Sequence, residues 1–269
     1  MRLRTLPVSI AGVLAACACA VHHGVFIWSV AVVALLFALL CQIASNFANE
    51  YFDALAGRDR PGREGPRRGV TEGDITPKAM LAAIAVTLAL AACAGLWLAW
   101  RGGWWLIIPG ILIGLGVMAY SAGPWPLSTH CLGEVAVIVF FGIVPVTLTY
   151  YVMTETWPHD VLSAALAMGL LGANVLIVNN VRDIPDDRSV GKHTLATVFG
   201  PRWMAVLYYI NAASALILIP FVAVAVKVIA IIIASVIAMQ LVRIRGHRLT
   251  PLLGISSVLM FLISLMMFI

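Results

Sequence analysis

The sequence predicts an all-α fold: a multi-pass transmembrane bundle of nine helices, two four-helix halves plus a ninth helix, forming one domain over residues 1–269. Three observations lead there. Of 269 residues, 62% are hydrophobic and 11% are charged, whereas soluble domains run nearer half apolar and a quarter charged. Long runs without Lys, Arg, Asp or Glu recur at spanning length, about 20 residues for a helix across the ~30 Å hydrocarbon core. The acids that remain collect in two segments instead of being spread over every loop.

The elements follow in order. Residues 5–49 are long enough for two spans, with a break near His22, His23 and Gly24. Ala79–Trp100 is the third span, and residues 102–133 hold a fourth plus a loop. Val135–Thr154 and Val161–Val181 are the fifth and sixth. The run from Trp203 to Val242 is interrupted only by Lys227, with Pro220 upstream, and reads as two spans joined by a tight hairpin. Leu249–Ile269 is the ninth. Each must be a helix, because backbone polar groups in lipid have to be satisfied within their own segment.

Met1-Arg2-Leu3-Arg4, an apolar stretch and Ala16-Cys17-Ala18-Cys19-Ala20 imitate a cleavable signal peptide. A second apolar span follows at once, and Pro7 sits where a membrane helix would start, so the segment reads as the first span. Cys17, Cys19, Cys41, Cys93 and Cys131 are scattered through or beside apolar spans with no CxxC pair, which weakens disulfide and zinc readings.

Charge predicts orientation. With a cytoplasmic N-terminus, the inner side carries Arg2, Arg4, Arg58, Arg60, Arg63, Arg67, Arg68, Lys78, Arg182, Arg188, Lys192, Arg202, Arg243, Arg245 and Arg248, and only Arg101 and Lys227 fall outside. That asymmetry matches the positive-inside rule, and the expected location is the plasma (inner) membrane of a prokaryote. The net charge of +5 thus reflects the lipid bilayer and anionic ligands, with no need for nucleic acid.

Six of the twelve acids lie between Glu50 and Asp74, and three more are Asp183, Asp186 and Asp187. Both clusters begin inside a helix end, where an ionised group is costly and usually functional. At about 100° per residue, Asn46, Asn49, Glu50 and Asp53 share a face of the second helix, and Asn179, Asp183 and Asp186 share one of the sixth, with Arg182 on the flank. These two helices run in the same direction. The polar loops about 54–77 and 184–202 therefore form one site, with Tyr120 at the end of the fourth helix on the same side. His22, His23 and His159 fall on the opposite side.

Two facing carboxylate platforms suit a diphosphate held through Mg²⁺, a cation that takes a few carboxylates, waters and substrate phosphates. Arg58, Arg60, Arg63, Arg67, Arg68, Lys78, Arg182, Arg188 and Lys192 supply balancing charge, and the apolar bundle would accept a hydrocarbon tail. Metal and cations stabilise diphosphate as it leaves, giving an allylic cation open to attack by an electron-rich ring. Two other readings compete. Mixed-charge loops are often simply solvated, and a transporter would place its polar site near the bilayer midplane, where this chain has almost no ionisable group.

Asn49-Glu50-Tyr51-Phe52-Asp53 with Gly57-Arg58-Asp59, and Asn179-Asn180-Val181-Arg182-Asp183-Ile184-Pro185-Asp186-Asp187 with Gly191-Lys192-His193-Thr194-Leu195, resemble the two aspartate-rich motifs of the UbiA-type intramembrane aromatic prenyltransferases. Arg2 to Pro7, Gln42 to Asn49, Gly65 to Gly69, Tyr120 with Gly123-Pro124, and Leu132-Gly133-Glu134 are similar to that family's menaquinone branch, which prenylates 1,4-dihydroxy-2-naphthoate. The resemblance implies Mg²⁺ dependence, a polyprenyl diphosphate donor, an aromatic acid acceptor and loss of its carboxylate. It implies Asn49, Asp53, Asp59, Asn179, Asp183 and Asp187 as metal ligands, with Asp53, Asp183 and Tyr120 at the reaction centre. Arg58, Arg68, Lys78, Arg182 and Lys192 would bind diphosphate, and Arg4, Gln42 and Asn46 would serve the acceptor side. Another phenolic acid, such as 4-hydroxybenzoate, is the alternative acceptor. The sequence departs from the family pattern at Glu50, at His193 and across Ser128-Thr129-His130-Cys131.

Overall fold

A computed structural model describes residues 6–59, 67–123 and 125–269. It is helical throughout, with no strand among the described residues. The first four helices are α1 (Leu6–His22), α2 (Trp28–Leu55), α3 (Pro77–Gly102) and α4 (Ile107–Ala119), the last entered through a 3₁₀ turn at Trp104–Leu106. A segmented helix follows: α5 (Gly133–Val137), a π-helical stretch (Ile138–Ile143) and α6 (Val144–Thr154). Then come α7 (His159–Arg182), the short α8 (Ile184–Ser189), α9 (Leu195–Leu218), α10 (Val224–Arg243) and α11 (Thr250–Met266).

Nine uninterrupted helices is therefore not what the chain forms. The predicted fifth helix is divided by the π stretch, and α8 is an extra turn-length helix started by Pro185 after the chain bends at Asp183. Six helices are long and apolar enough to cross a membrane, and Leu6–His22 and Trp104–Ala119 are shorter apolar helices. The protein is an integral membrane protein.

Burial sorts the helices into centre and rim. In α7, 72% of the apolar window is buried, against 22% in α3 and in α10; a helix apolar on every face belongs inside. Beside it lies α1, whose Ala11, Ala15, Ala16, Ala18, Cys19 and Ala20 are fully buried. Small side chains let neighbouring backbones come close, and α1 touches α2, α6, α7 and α11. Helices α2, α3 and α4 pack on one flank, α9, α10 and α11 on the other.

Local signals set the helix ends. Thr76 caps α3, its hydroxyl accepting from Ala79 N at 3.2 Å, and Pro77 takes the first turn, where no N–H is needed. Thr194 caps α9 in a reciprocal box with Thr197. At the end remote from the two acidic clusters, His23 bridges Asp160 (2.9 Å) and the Tyr150 hydroxyl (2.6 Å). His22 meets Met267 O at 2.7 Å and stacks on Phe221, so that three chain reversals and the end of α11 are tied together there. Lys227 donates to Ile219 O at 2.8 Å and closes the α9–α10 hairpin.

Candidate active site

The last two turns of α2 and of α7 bring their polar faces to one cleft of about 450 Å³, lined by Asn49, Asp53, Asn179 and Asp183, with Lys192 at its edge. Asp183 is held in a fork: Arg182 donates from Nε to Oδ1 at 2.7 Å and from Nη2 to Oδ2 at 2.9 Å, and Asn179 Nδ2 donates to Oδ2 at 3.3 Å. Arg182 Nη2 also donates to Asn179 Oδ1 at 2.8 Å. On the opposite wall Arg58 Nε lies 3.6 Å from Asp53 Oδ1, and its Nη2 donates to Ser121 O at 3.3 Å. The carboxylates are thus buried with a guanidinium partner each, as a desolvated charge requires.

A second layer supports these walls. Arg68, 4% exposed, pairs with Asp59 at 3.3 Å and donates to Asn49 Oδ1 at 3.4 Å. It thereby fixes the returning loop to α2. Lys192 lies 3.4 Å from Asp187, and its N–H donates to Asp187 O at 2.8 Å. Cys131 N donates to His193 O at 3.0 Å, which joins the loop after α4 to the loop before α9. The departures at Ser128 to Cys131 and at His193 are therefore neighbours in space, and Ser128 and Cys131 line the cleft. Burial and then the Glu134 carboxylate push the Cys131 thiol up, so it faces the cleft as a neutral S–H.

Several expectations change. Glu50 shares the helix but turns to the loop, accepting from Val70 N at 3.2 Å instead of facing the cleft. Asp186 leaves the face of Asn179 and Asp183 because α7 ends at Arg182, and α8 carries Asp186 away, half-buried. Lys78 is exposed at the start of α3 and lines none of the cavities. Asp59, Asp187, Arg68 and Arg182 sit behind the cleft surface as partners of residues around it. Gln42 and Asn46 line the cavity beneath the cleft. Arg4, Arg60 and Arg63 lie outside the described residues.

Two further cavities continue from the cleft. One of about 660 Å³ runs under Asn49 and Asn179 past Gln42 and Asn46, and a larger chamber of about 1110 Å³ lies between α2, α3, α4 and the segmented helix. Tyr120 lines all three. The chamber follows α4 from Tyr120 to Leu106, about 21 Å at ~1.5 Å per residue. That is some two thirds of the ~30 Å hydrocarbon core. Phe140 and Phe141, adjacent in the π stretch, both line it.

Sequence reasoning left Glu134 and Asn180 out of the site. Both are buried in the cleft wall, and Asn180 Nδ2 donates to Glu134 Oε1 at 3.0 Å. The available signal was a lone acid at the head of the apolar run 133–154, where a charge needs a reason.

Among the described residues, no group of three or more His, Cys, Asp or Glu side chains stands ready to hold a metal ion. Mg²⁺ does not require one, since it is commonly bound by one or two carboxylates completed by substrate phosphates. Paired Asn and Asp donors on two walls of one cleft fit an ion that arrives with a diphosphate.

Fold and cleft together define an integral membrane protein with a cleft of paired Asn and Asp side chains set above an apolar chamber. The sequence model of the UbiA prenyltransferase family matches residues 9–265, and the chain belongs to that family. It is a prenyl-group transferase. The 1,4-dihydroxy-2-naphthoate octaprenyltransferase of Escherichia coli (strain K12) is 39% identical over 209 residues, covering 74% of this chain and 67% of that protein. The enzyme of the same name from Mycobacterium tuberculosis is 40% identical over 207 residues, covering 77% and 70%. Among solved structures, an apo UbiA homolog from Aeropyrum pernix K1 superposes with TM-score 0.68 at 17% identity, covering 99% of this chain and 96% of that one. A UbiA homolog from Archaeoglobus fulgidus bound to DMAPP and Mg²⁺ superposes with TM-score 0.62 at 19% identity, covering 99% and 98%. These two likenesses establish the shared fold.

Proposed function

We propose that this chain transfers a polyprenyl group from polyprenyl diphosphate to 1,4-dihydroxy-2-naphthoate, with loss of the carboxylate as carbon dioxide, giving the prenylated naphthohydroquinone, the reduced form of demethylmenaquinone. The observation that carries the reading is that Tyr120 lines both the Asn/Asp-walled cleft and the apolar chamber. An amphiphile with a charged head and a long apolar tail fits both parts at once. Relatives near 40% identity bearing that activity in their names support the choice of acceptor.

In this reading Asn49 and Asp53 on one wall, and Asn179 and Asp183 on the other, hold Mg²⁺ with the diphosphate. Mg²⁺ supplies neutralisation of the charge that accumulates on the departing diphosphate. Asp59 and Asp187 act from behind, by setting Arg68 and Lys192. Arg58, Arg182 and Lys192 face the phosphate oxygens when the carboxylates turn to the metal, and Tyr120 closes the cleft over the reacting carbons. The bundle crosses the prokaryotic plasma membrane nine times, with the segmented helix and α9 each counting as one crossing, and the cleft opens to the cytoplasm.

The test uses purified protein, Mg²⁺, a long-chain prenyl diphosphate and a panel of aromatic acids, read by mass spectrometry. Burying one more ring contributes on the order of 1–2 kcal/mol at about 25 cal/mol per Å². We therefore expect 1,4-dihydroxy-2-naphthoate to be used at least tenfold more efficiently than 4-hydroxybenzoate, with carbon dioxide released in step. Equal use of both acids, or a product that keeps its carboxylate, would place the chain in another branch of the family.

A further inference from the structure

Glu134 is a buried carboxylate that diphosphate binding does not use. It is 5% exposed, and it opens α5 inside the cleft wall beside Tyr120. A Cβ on the preceding Gly133 would lie 3.6 Å from the Tyr120 hydroxyl, so this oxygen sits over the start of α5. Asn180, next in sequence to Asn179, donates one hydrogen bond to Glu134. Among the described residues, no Lys or Arg nitrogen comes within the 4.0 Å of an ion pair with it, and Lys192 in the same cleft acts on it from farther away. Every other cleft carboxylate has such a partner. An ionised carboxylate offers about four acceptor positions, and burying one without a cation is costly unless donors fill them. The side of the cleft holding Glu134 can therefore accept a donor from a ligand beside Asn180. The diphosphate, itself an anion, cannot provide it, and an aromatic hydroxyl can.

We propose that Glu134 accepts the hydrogen bond, and then the proton, of the acceptor's ring hydroxyl adjacent to its carboxylate. This rests on the prenyl-transfer reading above and adds the group that makes the ring a nucleophile. The allylic C–O bond to diphosphate breaks as the ring carbon bearing the carboxylate forms the new C–C bond. The hydroxyl proton passes to Glu134, leaving a ring ketone. The bond to the carboxylate then breaks, its electron pair restores the aromatic ring, and the ketone oxygen takes the proton back from Glu134. Carbon dioxide and diphosphate are the other products, and Glu134 ends ionised as it began. Asn180 fixes the carboxylate orientation and is a positioning residue.

Glu134→Gln keeps an oxygen that accepts from Asn180 and removes the base. Positioned general bases contribute roughly 10²- to 10⁴-fold, so turnover should fall at least a hundredfold while prenyl diphosphate affinity and melting temperature stay at wild-type values. Glu134→Asp, which keeps a carboxylate, should recover at least a tenth of wild-type turnover. Glu134→Gln turning over within threefold of wild type would overturn the proposal. Should Glu134→Gln fail to fold, the wild-type protein decides with an acceptor whose hydroxyl beside the carboxylate is replaced by methoxy: loss of turnover supports the proposal, and prenylation at the normal rate refutes it. A wild-type chain that binds prenyl diphosphate yet prenylates no aromatic acid would instead sink the broader reading, a result the variant series cannot mimic.

Discussion

Asp53 and Asp183 are each about nine-tenths buried or more at a helix end, and each faces a guanidinium that neutralises it in the absence of other ligands. In the proposed reading metal and diphosphate replace that partner with little rearrangement, because Arg58 and Arg182 lie directly behind the carboxylates. Asp53→Asn or Asp183→Asn should lower turnover by roughly a hundredfold or more, as loss of preorganised electrostatic stabilisation does elsewhere. EDTA should abolish turnover and Mg²⁺ restore it, while both variants still elute as folded protein in detergent. Full activity in EDTA would remove metal from the scheme. These two aspartates were legible in the sequence because helical period alone turns them and their asparagines to one face. The same argument failed for Asp186, since it assumed a helix running past Pro185, and for Glu50, whose face is shared with the loop that returns at Val70. Lys78 was grouped by charge, and charge does not say whether a side chain reaches the cleft. The Arg67–Asp74 pair at 2.9 Å is exposed and contributes little, as surface pairs do.

Among the elements, the π stretch from Ile138 to Ile143 has the most specific role. π-Bulges occur at functional sites, and this one widens the helix where Phe140 and Phe141 enter the apolar chamber. Its other side is pressed to α7: a Cβ at Gly142 would collide with the Gly169 backbone, and one at Gly169 with Ile138 O at 2.7 Å. This close approach keeps the segmented helix, with Glu134 at its head, against α7, with Asn180 at its foot. Gly142→Ala should destabilise the protein by about 1–3 kcal/mol, the cost of overpacking a close contact, and reduce turnover with it. Gly114→Ala on α4, where a Cβ meets nothing within 4 Å, should stay within about 0.5 kcal/mol. Equal melting of the two variants would show that the contact does not hold the helices. Apolar length forecast this segment as one helix, and the change in hydrogen-bond register within it leaves no mark in composition. Pro201 could have been read better, because the positive φ of 77° at Gly200 and the proline after it restart α9.

Across the whole molecule the two flanks are unequal, although their edges match in sequence. The α1, α7 and α9–α11 side holds the main core, with Met168, Tyr208, Met204, Ile237 and Met260 fully buried or nearly so, and a small pocket of about 280 Å³ lies within it. Tyr208 and Ser256 share a hydrogen bond of 2.9 Å within that side. The α2–α4 side has small separate clusters around the large chamber. One flank is a scaffold and the other a container. Spans and their order were legible because lipid leaves the backbone one solution, the helix; which flank is hollow depends on how side chains of similar hydropathy interlock, and hydropathy does not record that.

Orientation is a property of the whole chain, and charge argues it. Among the described residues, eleven Lys and Arg fall at the end of the bundle that carries the cleft or in its loops, against Arg101 and Lys227 at the other. Translocation of that many cations would oppose the usual bias of short loops. Glu72 lies in the α2–α3 loop and Thr156 between α6 and α7, both exposed and at opposite ends of the bundle. In a chain whose five native cysteines are replaced by serine, Glu72→Cys should react with a membrane-impermeant maleimide only in inside-out vesicles, and Thr156→Cys only in right-side-out ones. Labelling of both from one side would mean an even number of crossings between the sites where three are required. The α2 and α7 ends would then lie on different faces of the membrane, and no diphosphate could touch Asp53 and Asp183 together.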